Sequence, residues 1–80
     1  MKVIEEIRSF FVKKKFIKNK NEIKDDDSLL EMGVIDSVGM LELVNFIESK
    51  YSIKVDEDEL MPENFESLKA IQDFLTEKIG

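Results

Sequence analysis

Apolar residues in this chain gather into three stretches with the three- and four-residue spacing of an α-helix, and residues 17–36 between the first two lack it. Val3, Ile4, Ile7, Phe10 and Phe11 form one stripe on a helix expected over residues 2–16. Along a second helix from Ser37 to Tyr51, the residues Met40, Leu43, Val44, Ile47 and Tyr51 fall within one arc of about 100° at 3.6 residues per turn. Leu68, Ile71, Leu75 and Ile79, with Phe74 beside them, mark a last helix whose expected N-cap is Ser67. Each stripe has to be covered, and in a chain of 80 residues the surfaces available are the other stripes. The pattern therefore predicts an all-α bundle.

The segments between the stripes refine that expectation. Asn19, Asn21, Asp25, Asp26, Asp27 and Ser28 are turn formers, so residues 17–36 read as a long ordered loop with Leu29, Leu30 and Met32 tucked against the bundle. Gly33 suits a tight turn. Asp56 and Glu59 have capping-box spacing for a short third helix, which Pro62 is expected to end; the competing reading makes Ile53 and Val55 a brief extended segment. No repeat, linker or second domain is legible. The expected architecture is one domain over residues 1–80, with three long helices, a short third one, and a long loop after the first.

Composition removes most function classes. Without histidine or cysteine the chain cannot assemble a Ser-His-Asp or Cys-His nucleophile, a disulfide or a thiolate metal site. We therefore expect no enzyme, and a reducing, cytoplasmic setting. No apolar stretch approaches the ~18 residues of a membrane span. Charge is uneven: residues 1–24 hold eight Lys+Arg against three acids, net +5, and residues 25–80 hold four against fifteen, net −11, which together give −6. The acidic part repels nucleic acid, and the Lys13-Lys14-Lys15 run reads as a solvated helix end rather than a nucleic-acid patch. The acidic runs at 25–27 and 56–59 lack the alternating ligands and central glycine of a calcium loop, so no metal site is expected.

One segment carries chemistry. Gly33-Val34-Ile35-Asp36-Ser37-Val38 is a turn that delivers an Asp-Ser pair to a helix start. By itself such a pair is a helix cap. A serine at the first helical position, however, turns its hydroxyl outward beside unpaired backbone N–H groups, where a phosphodiester is electrostatically favoured. Over its whole length the chain resembles the acyl carrier protein family, and GVIDSVGMLELVNFIESKY is similar to that family's Asp-Ser-(apolar) motif followed by its second helix. The resemblance implies that a phosphopantetheinyl transferase joins 4′-phosphopantetheine to Ser37, with Asp36 helping to place magnesium and the serine. It implies a carrier that holds an acyl or aminoacyl group as a thioester on that arm and presents it to partner enzymes. The chain's lack of cysteine accords with a borrowed thiol.

Departures from the fatty acid synthase pattern bear on the cargo. Val34 and Ile35 separate Gly33 from Asp36, Gly39 stands where aspartate is usual, and Asn45 where methionine is usual. Together with Leu60-Met61-Pro62-Glu63-Asn64-Phe65, these features look more like stand-alone carriers served by a dedicated ligase, among them D-alanyl, other aminoacyl and specialised acyl carriers. The implied partners are the transferase, an acyl or aminoacyl ligase, and a downstream transferase or synthase, acting on a monomer. Helical spacing and the resemblance together assign docking to Val38, Glu42, Asn45 and Glu48 of the second helix, with Met61 as a further apolar contact. The competing reading is an unmodified structural adaptor.

Overall fold

The computed structural model describes residues 2–79. Helix α1 spans Val3–Lys13, α2 spans Ser37–Tyr51, a 3₁₀ turn covers Glu57–Glu59, α3 is the short Pro62–Phe65, and α4 spans Leu68–Ile79. No strand occurs among the described residues, so the Ile53–Val55 segment is a loop, held by the burial of Val55. The fold class is the expected one: all helical, three long helices and one short.

The helix stripes meet in one core. Val3, Ile7, Phe10 and Phe11 of α1, Leu43, Val44 and Ile47 of α2, and Leu68, Ile71 and Leu75 of α4 are buried together, with Phe65 from α3. Met40 and Tyr51, at the two ends of the predicted stripe, are only partly covered, and Ile79, in the last turn of α4, is exposed. Phe46, outside that arc, stacks on Phe10 with ring centres 4.3 Å apart. Ser67 caps α4, its hydroxyl oxygen accepting the Ala70 N–H at 3.0 Å.

Helix α1 ends at Lys13, short of the expected residue 16. Lys15 adopts left-handed backbone, φ 65°, and the N–H groups of Lys15 and Phe16 return to the carbonyls of Val12 and Phe11. This Schellman-type stop reverses the chain and folds Phe16 back onto Phe10 and Phe11, at 6.1 and 5.7 Å between ring centres. Apolar contact, rather than a glycine, sets the reversal.

The long loop is ordered by anchors that helical periodicity does not reveal. Ile17, Ile23, Leu29 and Ile35, six residues apart, are all buried. Leu30 and Met32, expected to be tucked in, stay about half exposed, because Leu29 takes the core position and its neighbours point away. Arg8, largely covered on α1, donates to the carbonyls of Lys20 and Ile23 and pairs with Asp25. From the other side, Leu29 N–H reaches the Glu66 carbonyl at 2.8 Å and Lys69 N–H the Asp25 carbonyl at 2.9 Å. The radius of gyration, 11.5 Å, is that of a domain with its loop packed down, about 12 Å for this length.

The third-helix region differs from expectation in one respect. The Asp56–Glu59 capping box forms, but it closes only a 3₁₀ turn, and Pro62 begins α3 instead of ending a helix. Proline's fixed φ and missing N–H suit the first helical position, where the N–H has no partner in any case.

Candidate functional site

Asp36 and Ser37 lie where the loop enters α2. The loop tightens at Gly33, whose φ of 71° is the left-handed conformation that favours glycine, and Ile35 then plugs into the core. That plug holds the next two residues at the surface. Asp36 is the N-cap in extended backbone, and its Oδ1 accepts the Gly39 N–H at 2.7 Å. Its carbonyl accepts the Met40 N–H at 2.8 Å. Ser37 occupies the first helical position, exposed, and takes no part in capping.

This division of labour defines the site. With Asp36 and its carbonyl taking up the N–H groups of Gly39 and Met40, those of Ser37 and Val38 are left over beside the Ser37 hydroxyl. A phosphate ester on Ser37 Oγ would stand at the positive end of a helix of fifteen residues with backbone donors at hand. The residues present therefore fit a phosphodiester-linked group. Asp36 keeps its second carboxylate oxygen, Oδ2, clear of the Gly39 cap.

Gly39 makes the geometry possible. An added Cβ there would stand 2.9 Å from Ile35 Cγ1, 3.3 Å from Asp36 Oδ1 and 3.4 Å from Phe16 Cζ. The first turn of α2 thus sits directly on the Ile35 plug and the folded-back Phe16. Its contrast with the aspartate of fatty acid synthase carriers is a matter of packing, since the residue is buried.

A cavity of about 270 Å³ opens beside the serine. Leu30 from the loop, Met40 from α2, Leu60 and Met61 ahead of α3, and Phe65 within it line this groove together with Ser37. The surroundings are apolar as well: Val38 and Leu41 are 66% and 60% exposed on α2, close to the serine. Sequence reasoning identified Val38 and Met61 and missed Leu41, Leu30 and Leu60. Leu41 was accessible to it, since four residues after Ser37 a helical position returns to within about 40° of it, outside the apolar arc.

The predicted polar docking residues are placed less uniformly. Asn45 is exposed and stands farther along α2. Glu42 pairs with Lys14 of the α1 terminus at 3.6 Å. Glu48 is half-buried and accepts the Val55 N–H at 2.8 Å, so its carboxylate fastens α2 to the segment that follows it. The structure groups Asp36, Ser37 and Met61 around the groove, sets Val38 exposed next to Ser37 on α2, and leaves Glu42 and Asn45 on a neighbouring face.

A helical bundle that presents an uncommitted serine at a helix start, beside an apolar groove, has the geometry to bear a covalent prosthetic arm. Comparison with known proteins agrees. The family model described as "Phosphopantetheine attachment site" matches residues 14–75. Aminoacyl carrier protein 2 of Bradyrhizobium diazoefficiens is 29% identical over 59 residues, covering 74% of this chain and 65% of that protein, so the chain spans a little under two thirds of that relative's length. Among solved structures, a chain in the crystal structure of an FAD-dependent dehydrogenase is 30% identical with a TM-score of 0.64, over 71% of this chain and 80% of the other. A chain in the structure of Bradyrhizobium japonicum glycine:carrier protein ligase, complexed with its cognate carrier protein and an analogue of glycyl adenylate, superposes with a TM-score of 0.71 over 94% and 92% of the two chains at 17% identity, a likeness of fold. This chain belongs to the phosphopantetheine-attachment family. Membership implies covalently attached 4′-phosphopantetheine as the cofactor. Among the described residues no helix is long and apolar enough to cross a membrane.

Proposed function

We propose that Ser37 is the attachment residue and that the chain carries an aminoacyl group, loaded by a dedicated ligase. The observation that carries this reading is the exposed Ser37 hydroxyl at the first position of α2, relieved of capping by Asp36 and inside the matched span 14–75. When attached, the arm supplies the thiol that holds the cargo as a thioester. The chain's own part is to present Ser37 Oγ, to hold the ester phosphate against the first turn of α2, and to offer the apolar rim for docking. Asp36 steadies that turn through Oδ1, and its Oδ2 would help to place the transferase's magnesium.

Aminoacyl cargo is supported by the relative named as an aminoacyl carrier protein. The likeness to a chain in an FAD-dependent dehydrogenase structure supports a second class of partner, a dehydrogenase. Partners dock around Ser37 chiefly through the exposed apolar side chains of Val38, Leu41 and Met61, with Glu42 and Asn45 at the margin and Glu48 contributing least. A cytoplasmic monomer is the form proposed.

Intact-mass analysis after incubation with coenzyme A and a broad-specificity phosphopantetheinyl transferase tests the reading. Wild type gains one phosphopantetheinyl group, and Ser37→Ala gains none while melting within the ~1 kcal/mol expected for a residue that does not cap. An unmodified wild type would leave the structural adaptor as the function, and a modified Ser37→Ala would move the site elsewhere.

A further inference from the structure

The wall of the groove opposite α2 has little apolar anchorage of its own. Of residues 60–65, Phe65 is buried against Phe74, whereas Leu60, Met61, Pro62 and Glu63 are exposed. Polar bonds supply the rest, and they converge on one residue. The Glu59 carboxylate Oε1 accepts the Asp56 N–H at 2.9 Å and the Lys78 ammonium of α4 at 2.7 Å. The Glu59 carbonyl accepts Asn64 Nδ2 at 2.9 Å, which closes the segment from the 3₁₀ turn to α3 into a ring around Leu60 and Met61. Lys78 is itself placed by Phe74, its Nζ standing 5.9 Å from the ring centre, so the pair rests on the side chain that also covers Phe65. Both partners are largely sheltered, at 28% and 22% side-chain exposure, unlike the Lys14–Glu42 and Lys50–Glu6 pairs.

We infer that Glu59 is a positioning residue of the attachment site: held by Lys78 and Asp56, it sets the Leu60–Met61 wall of the groove beside Ser37 and so determines how well partner enzymes engage that serine. The inference deepens the proposed function and rests on Ser37 being the modified residue. Glu59 touches neither Ser37 nor the groove, as neither it nor Lys78 lines that cavity. Its influence passes through the backbone of residues 60–64.

Two variants separate positioning from mere stability. Glu59→Gln keeps an acceptor for the Asp56 N–H and loses the ion pair; Lys78→Met loses the pair from the other side and keeps a side chain to pack on Phe74. Exposed Glu77→Gln on the same helix serves as control. For each chain, the Met61 methyl resonance is recorded in the unmodified protein, and KM and kcat are measured for modification by the broad-specificity transferase with coenzyme A, at a temperature where circular dichroism shows the variant fully folded. We expect a shifted Met61 methyl and a KM raised about 3- to 10-fold with kcat little changed for both variants, the size of effect that the net worth of an ordinary hydrogen bond corresponds to. The exchanged pair Glu59→Lys with Lys78→Glu should recover part of the KM effect. A Met61 methyl and a KM matching the Glu77→Gln control would overturn the inference while wild-type modification still upheld Ser37. Failure of wild type to be modified at all would instead overturn the proposed function. Should Lys78→Met fold too weakly to assay, Lys78→Arg must retain wild-type KM and Met61 position, and a raised KM there with an unmoved methyl would equally refute the wall's role.

Discussion

Substituting Gly39 by alanine sets two magnitudes against each other. In the interior of a helix, alanine is preferred over glycine by about 0.8–1.0 kcal/mol, and in the first turn, where fewer neighbours are fixed, the gain is smaller. Against this stands the new methyl at 2.9 Å from Ile35 Cγ1, closer than real contacts allow. Ile35 is only 3% exposed and cannot simply rotate into solvent. Overpacking of this kind costs about 1–3 kcal/mol, and the Asp36 Oδ1 contact at 3.3 Å adds pressure on a cap worth ~1 kcal/mol. The expected net effect is a destabilisation of about 1–2 kcal/mol. In a domain of this size each ~1 kcal/mol lowers Tm by roughly 4–8 °C. Thermal and urea unfolding followed by circular dichroism measure it, and transferase modification of Ser37 should slow in parallel as the first turn of α2 is displaced. A variant that melts at or above wild type would show that Gly39 is not required by packing, and the account of how the loop seats α2 would fail with it.

Other perturbations follow from the same geometry. Lys15→Gly relieves a left-handed residue at the end of α1 and should stabilise the fold by roughly 0.5–1 kcal/mol, read as a raised Tm. Arg8→Met removes the donor to the Lys20 and Ile23 carbonyls and should cost about 2–3 kcal/mol, with amide exchange accelerated across residues 18–27 before the helices respond. Glu6 accepts the Tyr51 hydroxyl and pairs with Lys50 at 3.3 Å, and these hold its carboxyl below the usual range, the tyrosine bond most of all; burial and the same carboxylate push the Tyr51 hydroxyl up. Because Glu6 is the more acidic in the folded state, its stabilisation is fully present above the unfolded carboxyl value and is lost as pH falls through the lower folded one. The stability difference between wild type and Tyr51→Phe, measured by urea unfolding, should therefore be largest near neutral pH and shrink below about pH 4. Val38→Asp combined with Leu41→Asp should slow transferase modification more than Glu42→Lys does, because the apolar pair borders Ser37 whereas Glu42 already has a partner in Lys14; the reverse order would restore a charge-led docking face.

The local features of this protein were legible in its residues because local chemistry determines them. The three helical stripes, the caps at Asp36 and Ser67, the Gly33 turn and the placing of Ser37 at a helix start all rest on interactions within about four positions along the chain. A single sequence shows such spacings directly. The proposed attachment residue, Ser37, belongs to this group, and so does the class of chemistry that a chain without histidine or cysteine can support.

Tertiary structure decided what depends on residues far apart. That Ile17, Ile23, Leu29 and Ile35 pin the loop while Leu30 and Met32 stay outside follows from Arg8, Glu66 and Lys69, which hold that loop from α1, from the α3–α4 junction and from α4. That Glu48, predicted for docking, also binds the Val55 N–H follows from where the chain returns after α2. Pro62 could as well end one helix as begin another, and the Glu59–Lys78 pair across to α4 accompanies the second choice. The groove beside Ser37 has the same origin: its walls come from the loop, α2 and the segment around α3, and no period in the sequence joins them. Periodicity reports which face of a helix is covered, but contact between distant segments is set only when the whole chain has buried its apolar surface and paired its backbone.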